Sequence, residues 1–364
     1  MSDKIKLRIG ADTKNNKPGV EIEHFLSYSI SADLYTPADA FHLELANPET
    51  DIKTGLLCEL LINGQKELTG LIDKVARKVS KSGVSLSVEG RDLMGLLIDS
   101  HCEPPWDSLE NMKLKTLAER LLVNVPFINR KAITYQKNIA GKLKGKKSTS
   151  NSGFLSGLDA TQKLNQIEAG MTIFEVLKNY SLSRGMLFYC LPDGTLVFGR
   201  PMAKGAPEYT LQMLKSGKGN NVIESDVVLD ISKRFSKVMV VGQQQGGQTV
   251  FGAAQINSPE GIQTDSSFPF YKLFVAKDNN DNVSPKDRAR MILEKQRREG
   301  TQLVYTVGRH SQNGKNWQIN TFCRIQDETQ GLDGDYLIYG RTFELNKQTG
   351  PITKVKLGEP GLVA

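Results

Sequence analysis

Cysteine is scarce in this chain and scattered along it. The 364 residues include four, Cys58, Cys102, Cys190 and Cys323, and no two of them form a CxxC pair. That spacing argues against a disulfide framework or a zinc site, and leaves separate buried thiols in a reducing compartment as the plain reading. Histidine offers little more: His24, His42 and His310 stand alone, and neither HExxH nor GxSxG occurs. No run approaches the roughly 18 apolar residues that a membrane helix needs. The opening "MSDKIKLRIG" has no apolar core between a basic start and a cleavage site, so a protein made in the cytoplasm and not exported by the usual signal is expected. Charge of one sign is not in large excess either. Lys and Arg number 47 against 40 Asp and Glu, and the resulting +7 permits a polyanionic partner without requiring one.

What is present describes a folded chain. Hydrophobic residues make up 39% and charged residues 24%, and the length suits two or three domains. The first hundred residues read as short strands. "KIKLRIG" and "FHLELANP" alternate, and "EHFLSYSISADLY" is half apolar with β-branched and aromatic residues. In "LLCELLINGQKELTGLIDKV", Asn63-Gly64 supplies the two positive-φ residues of a type I′ hairpin turn. A second hairpin follows, turning at Ser82-Gly83. Closely spaced strands without helices predict a small antiparallel barrel or sandwich.

Past Gly90 the period changes. Leu114, Leu117, Leu121 and Leu122 recur at helical spacing. "EAGMTIFEVLKNYSLSRG" predicts a helix with a capping box from Thr172 to Glu175 and a stop at Gly185. "MLFYCLPDGTLVFGRP" predicts a hairpin turning at Asp193-Gly194. Strands resume near residue 218, with one helix capped by Ser284, carrying Pro285 in its first turn and ended by Gly300. A weak repeat is visible. Leu71-Ile72, a strand, Gly83 and another alternating strand correspond to Leu337-Ile338, a strand, Gly350 and another alternating strand.

Three stretches invite a chemical reading. "GKLKGKKS", residues 141–148, resembles a phosphate-binding loop but has three residues between its glycines where the motif needs four, and Lys147 where Ser or Thr belongs. Asp278, Asn280 and Asn282 suggest a calcium loop, yet Val283 replaces its glycine and Ala289 its final Glu. In "SHCEPPWD", neighbours His101 and Cys102 point opposite ways in an extended chain, and Pro104-Pro105 stiffens it, so Glu103 and Asp107 join a connector instead of a metal or nucleophile cluster. No aromatic–basic box for base stacking is present. No catalytic, cofactor-binding or metal-binding residue is nominated, and no enzyme activity is expected.

In order along nearly the whole chain, the motifs resemble those of the baseplate hub proteins of contractile phage tails, in the Mu-like tail protein P group. That group is related in fold to the T-even phage hub and to the base of the type VI secretion spike. "LLINGQKELTGLIDKV" and "LSVEGRDLMGLLIDS" look like the end of the family's first barrel, where a Gly-Arg-Asp corner (Gly90, Arg91, Asp92) precedes the run Leu97, Ile98, Asp99, Ser100. "MTIFEVLKNYSLSRGMLFYCLPDGTLVFGRP" looks like its helix and hairpin. "DISKRFSKVMVVGQ" looks like the lead into its second barrel, and "YTVGRHSQNGKNWQIN" and "GLDGDYLIYGRTFELNKQTGPITKVKLGEP" like its closing strands.

The resemblance implies a mainly β fold with an α+β insertion and two similar antiparallel β-barrel domains. The expected division is 1–100 for the first barrel, 101–215 for the insertion, 216–347 for the second barrel with one inserted helix, and 348–364 for a C-terminal strand and tail. It further implies a homotrimeric ring of pseudo-sixfold symmetry that adapts the sixfold tail tube to a threefold central spike, in a virion tail assembled in the bacterial cytoplasm. Its partners would be itself, the spike, the tube and other baseplate proteins, with no cofactor and no small-molecule substrate. DNA would only pass through the ring. Arg91 and Asp92 would tie down the corner or meet a neighbouring subunit. The alternative reading is a β-barrel protein that binds nucleic acid through the basic loop Lys142–Lys147, for which the resemblance offers no role.

Overall fold

Alternating apolar residues turn the N-terminal third into strands with one wet face. A computed structural model describes residues 3–10, 19–46, 51–81, 83–104, 112–136, 167–182, 184–242, 260–278 and 285–362. The first unit holds β1 (Ile5–Ile9), β2 (Val20–Ile22), β3 (Ser27–Asp33), β4 (Ala40–Ala46), β5 (Leu57–Ile62), β6 (Gln65–Ser80) and β7 (Gly83–Asp92). In β1 and β5 every second residue is buried, the signature of a half-solvated antiparallel sheet.

Next come helices α1 (Met94–Asp99) and α2 (Leu114–Leu121), strand β8 (Thr134–Tyr135), helix α3 (Ile173–Leu182), and strands β9 (Leu187–Cys190) and β10 (Leu196–Gly199). Strands β8, β10 and β9 make a small sheet whose side chains close a core with the helices through Leu97, Leu117, Leu177 and the stacked Phe188–Phe198 pair, 4.7 Å between ring centres.

The remainder comprises β11 (Pro207–Met213), β12 (Val222–Leu229), β13 (Lys237–Gly242), β14 (Glu260–Thr264), β15 (Leu273–Asp278), α4 (Pro285–Glu299), β16 (Thr301–Gly308), β17 (Ser311–Gln312), β18 (Lys315–Asn316), β19 (Thr321–Asp327), β20 (Leu332–Asn346) and β21 (Gly350–Gly358). The stretch "KVMVVGQ", expected in the lead into a second barrel, forms β13 but stands outside the large sheet. It pairs with β14 and β15 in a separate three-stranded sheet, where Val238 and Val240 meet Ala289 and Leu293 of α4. The chain between β12 and β16 therefore carries an α/β element, more than the single helix the sequence suggested.

The two β-units repeat one topology. In the first, the spatial order is β1-β5-β6-β7-β4-β3; in the second it is β11-β19-β20-β21-β16-β12. In both, the first strand is followed by the fourth, fifth, sixth, third and second. The likeness extends to detail. The β6–β7 ladder slips between Ile72 and Lys74, and the β20–β21 ladder slips between Ile338 and Gly340, so each unit has a bulge directly after its Leu-Ile pair. One pairing departs: β1–β5 is antiparallel, whereas β11–β19 is parallel.

The units are not separate bodies. The C-terminal half of β20 pairs with β3, from Gly340 opposite Asp33 to Leu345 opposite Tyr28, and one continuous core runs from Leu7 and Leu43 to Tyr305 and Val355. At its far edge the second unit is drawn together by asparagine side chains. Asn221 accepts from the Gln212 N–H at 2.8 Å and donates to the Thr210 carbonyl at 2.7 Å, bridging β11 to the start of β12.

Local signals set the turns. Asn63 and Gly64 have φ of 51° and 79°, the mirror-image turn that suits strand twist. Thr172 and Glu175 exchange side-chain-to-backbone hydrogen bonds of 2.8 and 3.1 Å at the start of α3. Past its end, the Met186 N–H reaches the Ser181 carbonyl at 2.9 Å around Gly185, at φ 63°. Gly194, at φ 86°, turns the β9–β10 hairpin. Ser82 and Ser284, expected at a turn and a cap, lie outside the described residues.

Candidate functional site: the seam and the joint

Two polar clusters stand out against this apolar framework. The first lies in the seam between the β-units. Glu67 of β6 and Arg341 of β20 form an ion pair with only 3% of each side chain exposed. Asn316 donates to Glu67 at 2.6 Å and to the Ile62 carbonyl at 2.9 Å, while its own amide oxygen accepts from Asn63 at 3.1 Å. The hairpin turn at Asn63 thus also docks one unit on the other. The Arg341 guanidinium lies 3.9 Å from the centre of the Phe343 ring. Burial pushes the Glu67 carboxyl above the usual range despite its cationic partner.

His310 extends the seam. Its Nε2 is 2.7 Å from the Tyr28 hydroxyl, and its Nδ1 is 3.0 Å from the Thr353 hydroxyl. Thr353 donates its own proton to the Arg309 carbonyl at 2.7 Å, so it accepts from Nδ1–H, and Nε2 accepts from Tyr28. Burial lowers the imidazole to about 4, and it stays neutral near pH 7.

The second cluster is the joint between β7 and α1. Arg91 Nε donates to Asp73, the bulge residue of β6, at 2.6 Å. Its two terminal nitrogens grip Asp99 at the end of α1, at 3.1 and 2.6 Å. The fork of one arginine therefore ties bulge, strand and helix together. Asp92 points inward and accepts from the Met94 N–H at 3.0 Å, fixing the start of α1. The turn lies there and not at Gly90, which pairs with Phe41 and Ile72 inside β7. Gly90 is required by close approach: a Cβ would lie 2.1 Å from the Leu71 carbonyl oxygen and 2.5 Å from Phe41.

Asp39 lies beside Asp92 and accepts from the Asp33 N–H at 2.9 Å. Burial raises the Asp39 carboxyl to about 7, and burial together with the Asp39 charge raises Asp92. Two carboxyls pushed upward could form an acid–base pair. The crevice they share with Tyr189 and Cys190 measures only about 10 Å³, which holds at most a water. The pair is enclosed by the joint instead of facing a substrate.

The other candidates fall apart or lie elsewhere. His101 is exposed while Cys102 is buried, and burial raises the thiol to about 11, so it is no nucleophile at neutral pH. Cys58, Cys190 and Cys323 are buried free thiols as well. Glu103 bonds Asn124 at 2.9 Å; Asp107 is outside the described residues. So are residues 141–148, with the Lys142–Lys147 loop, and Asn280, Asn282 and Val283. Ala289 is a buried core residue of α4. Among the described residues, no three His, Cys, Asp or Glu side chains gather to hold a metal ion, and no helix is long and apolar enough to cross a membrane.

The seam residues were missed by sequence reasoning. A signal existed: Arg341 shares the period-2 face of Phe343 and Leu345, where a charge is out of place.

A duplicated six-strand unit, fused through one sheet and one core and locked by buried polar contacts, defines a structural building block. Comparison with known proteins says which kind. Residues 15–92 match the family described as Mu phage baseplate assembly protein GpP-like, N-terminal. The chain is 25% identical over 342 residues to the baseplate hub protein gp44 of Escherichia phage Mu, covering 91% of this chain and 83% of that one. A tail protein from Neisseria meningitidis MC58 superposes with a TM-score of 0.79 at 26% identity, covering 100% of this chain and 98% of that chain. The 43 kDa tail protein of prophage MuSo2 from Shewanella oneidensis shares the fold, with a TM-score of 0.75 at 22% identity and 98% coverage of both chains. Over most of its length the chain is similar to the hub protein of phage Mu, and it shares the fold of these tail proteins.

Proposed function

We propose that this chain is the structural hub of a contractile phage or prophage tail baseplate and that it is not an enzyme. The observation that carries the reading is the repeated strand order, with a matching bulge in each half, in a chain similar to a phage Mu hub protein over nine-tenths of its length. Duplication lets three copies present six near-equivalent faces, which suits a ring between a sixfold tube and a threefold spike. The neighbours in this reading are two further copies, a central spike, the tail tube and other baseplate proteins. The protein acts in the virion tail after assembly in the host cytoplasm, and DNA only passes through the ring.

The pairing pattern supports a division into a first β-unit, an α/β insertion and a second β-unit. Strand β11 goes with the second unit because it pairs with β19, and β21 goes there because it lies between β16 and β20.

Light scattering on the purified chain tests the reading. A trimer is expected, and a clean monomer at micromolar concentration overturns the ring.

A further inference from the structure

The repeated topology leaves one contact made once where the symmetry calls for two. Within the chain, β3, the second strand of the first unit, pairs along its outer edge with the C-terminal half of β20, the fifth strand of the second unit. The equivalent elements are β12 and the C-terminal half of β6. Among the described residues, strand β12 is hydrogen-bonded as a strand to β16 alone, and β6 beyond Ile72 has β7 on one side and no strand on the other. Each half of the missing contact is an open edge, the form of backbone that recruits another strand.

We infer that residues 74–79 of β6 pair with β12 of a second copy of this chain, in the register by which β20 pairs with β3 inside one chain. This rests on the ring proposed above and specifies how it closes. The register follows from the shared ladders. Matching Ile72 to Ile338, and Ile30 to Val227 through their partners Phe41 and Leu303, sets Lys74 opposite Asp230, Ala76 opposite Val228 and Lys78 opposite Asp226 on the outer face. On the inner face it sets Val75 opposite Leu229, Arg77 opposite Val227 and Val79 opposite Ser225.

Two independent observations fit that register. Both outer charged pairs are of opposite sign, with lysines on β6 facing Asp226 within β12 and Asp230 just beyond its end. The apolar residues it would cover are unusually exposed: Val79 at 73%, Val228 at 44% and Leu229 at 73%. Ala32, which occupies the Leu229 position in the paired copy of the contact, is only 5% exposed. Arg77 stands where Phe343 stands in the second unit; its stem can lie on the inner face while its head stays in water.

Pairing of this kind is head-to-tail, so it closes a ring instead of a two-fold dimer. Lys78→Glu and Asp226→Lys each place like charges in opposition at every junction. Each is expected to raise the concentration at which the trimer half-dissociates by about tenfold or more, with circular dichroism unchanged. The combined swap Lys78→Glu/Asp226→Lys is expected to restore assembly. Independently, Lys78→Cys/Asp226→Cys is expected to give disulfide-linked dimers and trimers on oxidation, while neither single cysteine does. If the native chain is trimeric, the charge variants leave the trimer intact and the cysteine pair does not link, this contact is wrong and the hub reading survives. If the native chain stays monomeric, ring and contact fall together.

Discussion

Glu67 and Arg341, one from each β-unit, form an ion pair across the seam in almost complete burial. Neither charge has water to fall back on. Asn316 satisfies one oxygen of Glu67, and Phe343 covers the guanidinium face. Each partner therefore depends on the other more than the fold depends on the pair.

Arg341→Met is expected to destabilise the chain by about 3–5 kcal/mol, because it strands a buried carboxylate. Glu67→Leu/Arg341→Met is expected to lose clearly less than the sum of the single changes. Urea unfolding of the four proteins measures this. An Arg341→Met variant within about 0.5 kcal/mol of the parent contradicts the assignment.

Arg91→Ala unties Asp73 from Asp99. The cluster is about one-third exposed at Arg91 and Asp73 and more open at Asp99, so solvent screens it. The expected loss is about 1 kcal/mol, with faster hydrogen exchange confined to α1 and the bulge at Asp73. Arg91→Lys, which lacks the two-pronged grip, is expected to restore only part of it. Unchanged exchange in α1 would remove Arg91 from the joint.

His310 makes stability depend on pH. Its folded value of about 4 lies below the ordinary 6.5, so between them the unfolded chain binds a proton that the folded chain refuses. The contribution is intact above about pH 6.5 and is lost as pH falls toward 4. At pH 5 the loss is on the order of 2 kcal/mol. Asp39, raised from 3.8 to about 7, acts in the opposite direction: its neutral form favours folding at low pH, and that advantage fades as pH rises to 7. The expected outcome is that His310→Gln is less destabilised than the parent on going from pH 7 to pH 5. Equal losses in the two proteins would show that His310 does not carry this dependence.

Much of the local structure was legible in the sequence because its causes are local. Asn63-Gly64 favours the mirror-image turn through backbone sterics, and Thr172 with Glu175 reports its helix start through a capping box within four residues. The Leu-Ile repeat was also readable, and it marks equivalent bulges. The corner at Gly90 was misread because a glycine needed for close approach looks, in one dimension, like a glycine needed for a turn. The departure of β13 into its own sheet was not readable, since alternation specifies a strand but not its partner.

The sequence by itself determined that the chain is mainly β, where most of its hairpins and helix boundaries lie, and that its two ends repeat. Only the tertiary structure decided that β20 divides its edge between β19 and β3, that Glu67 meets Arg341 over 274 residues, and that the two units share one core. The reason is physical. Turns and caps are set by energies within a few residues, whereas strand partners and buried charge pairs are chosen by burial and register between segments far apart in the chain.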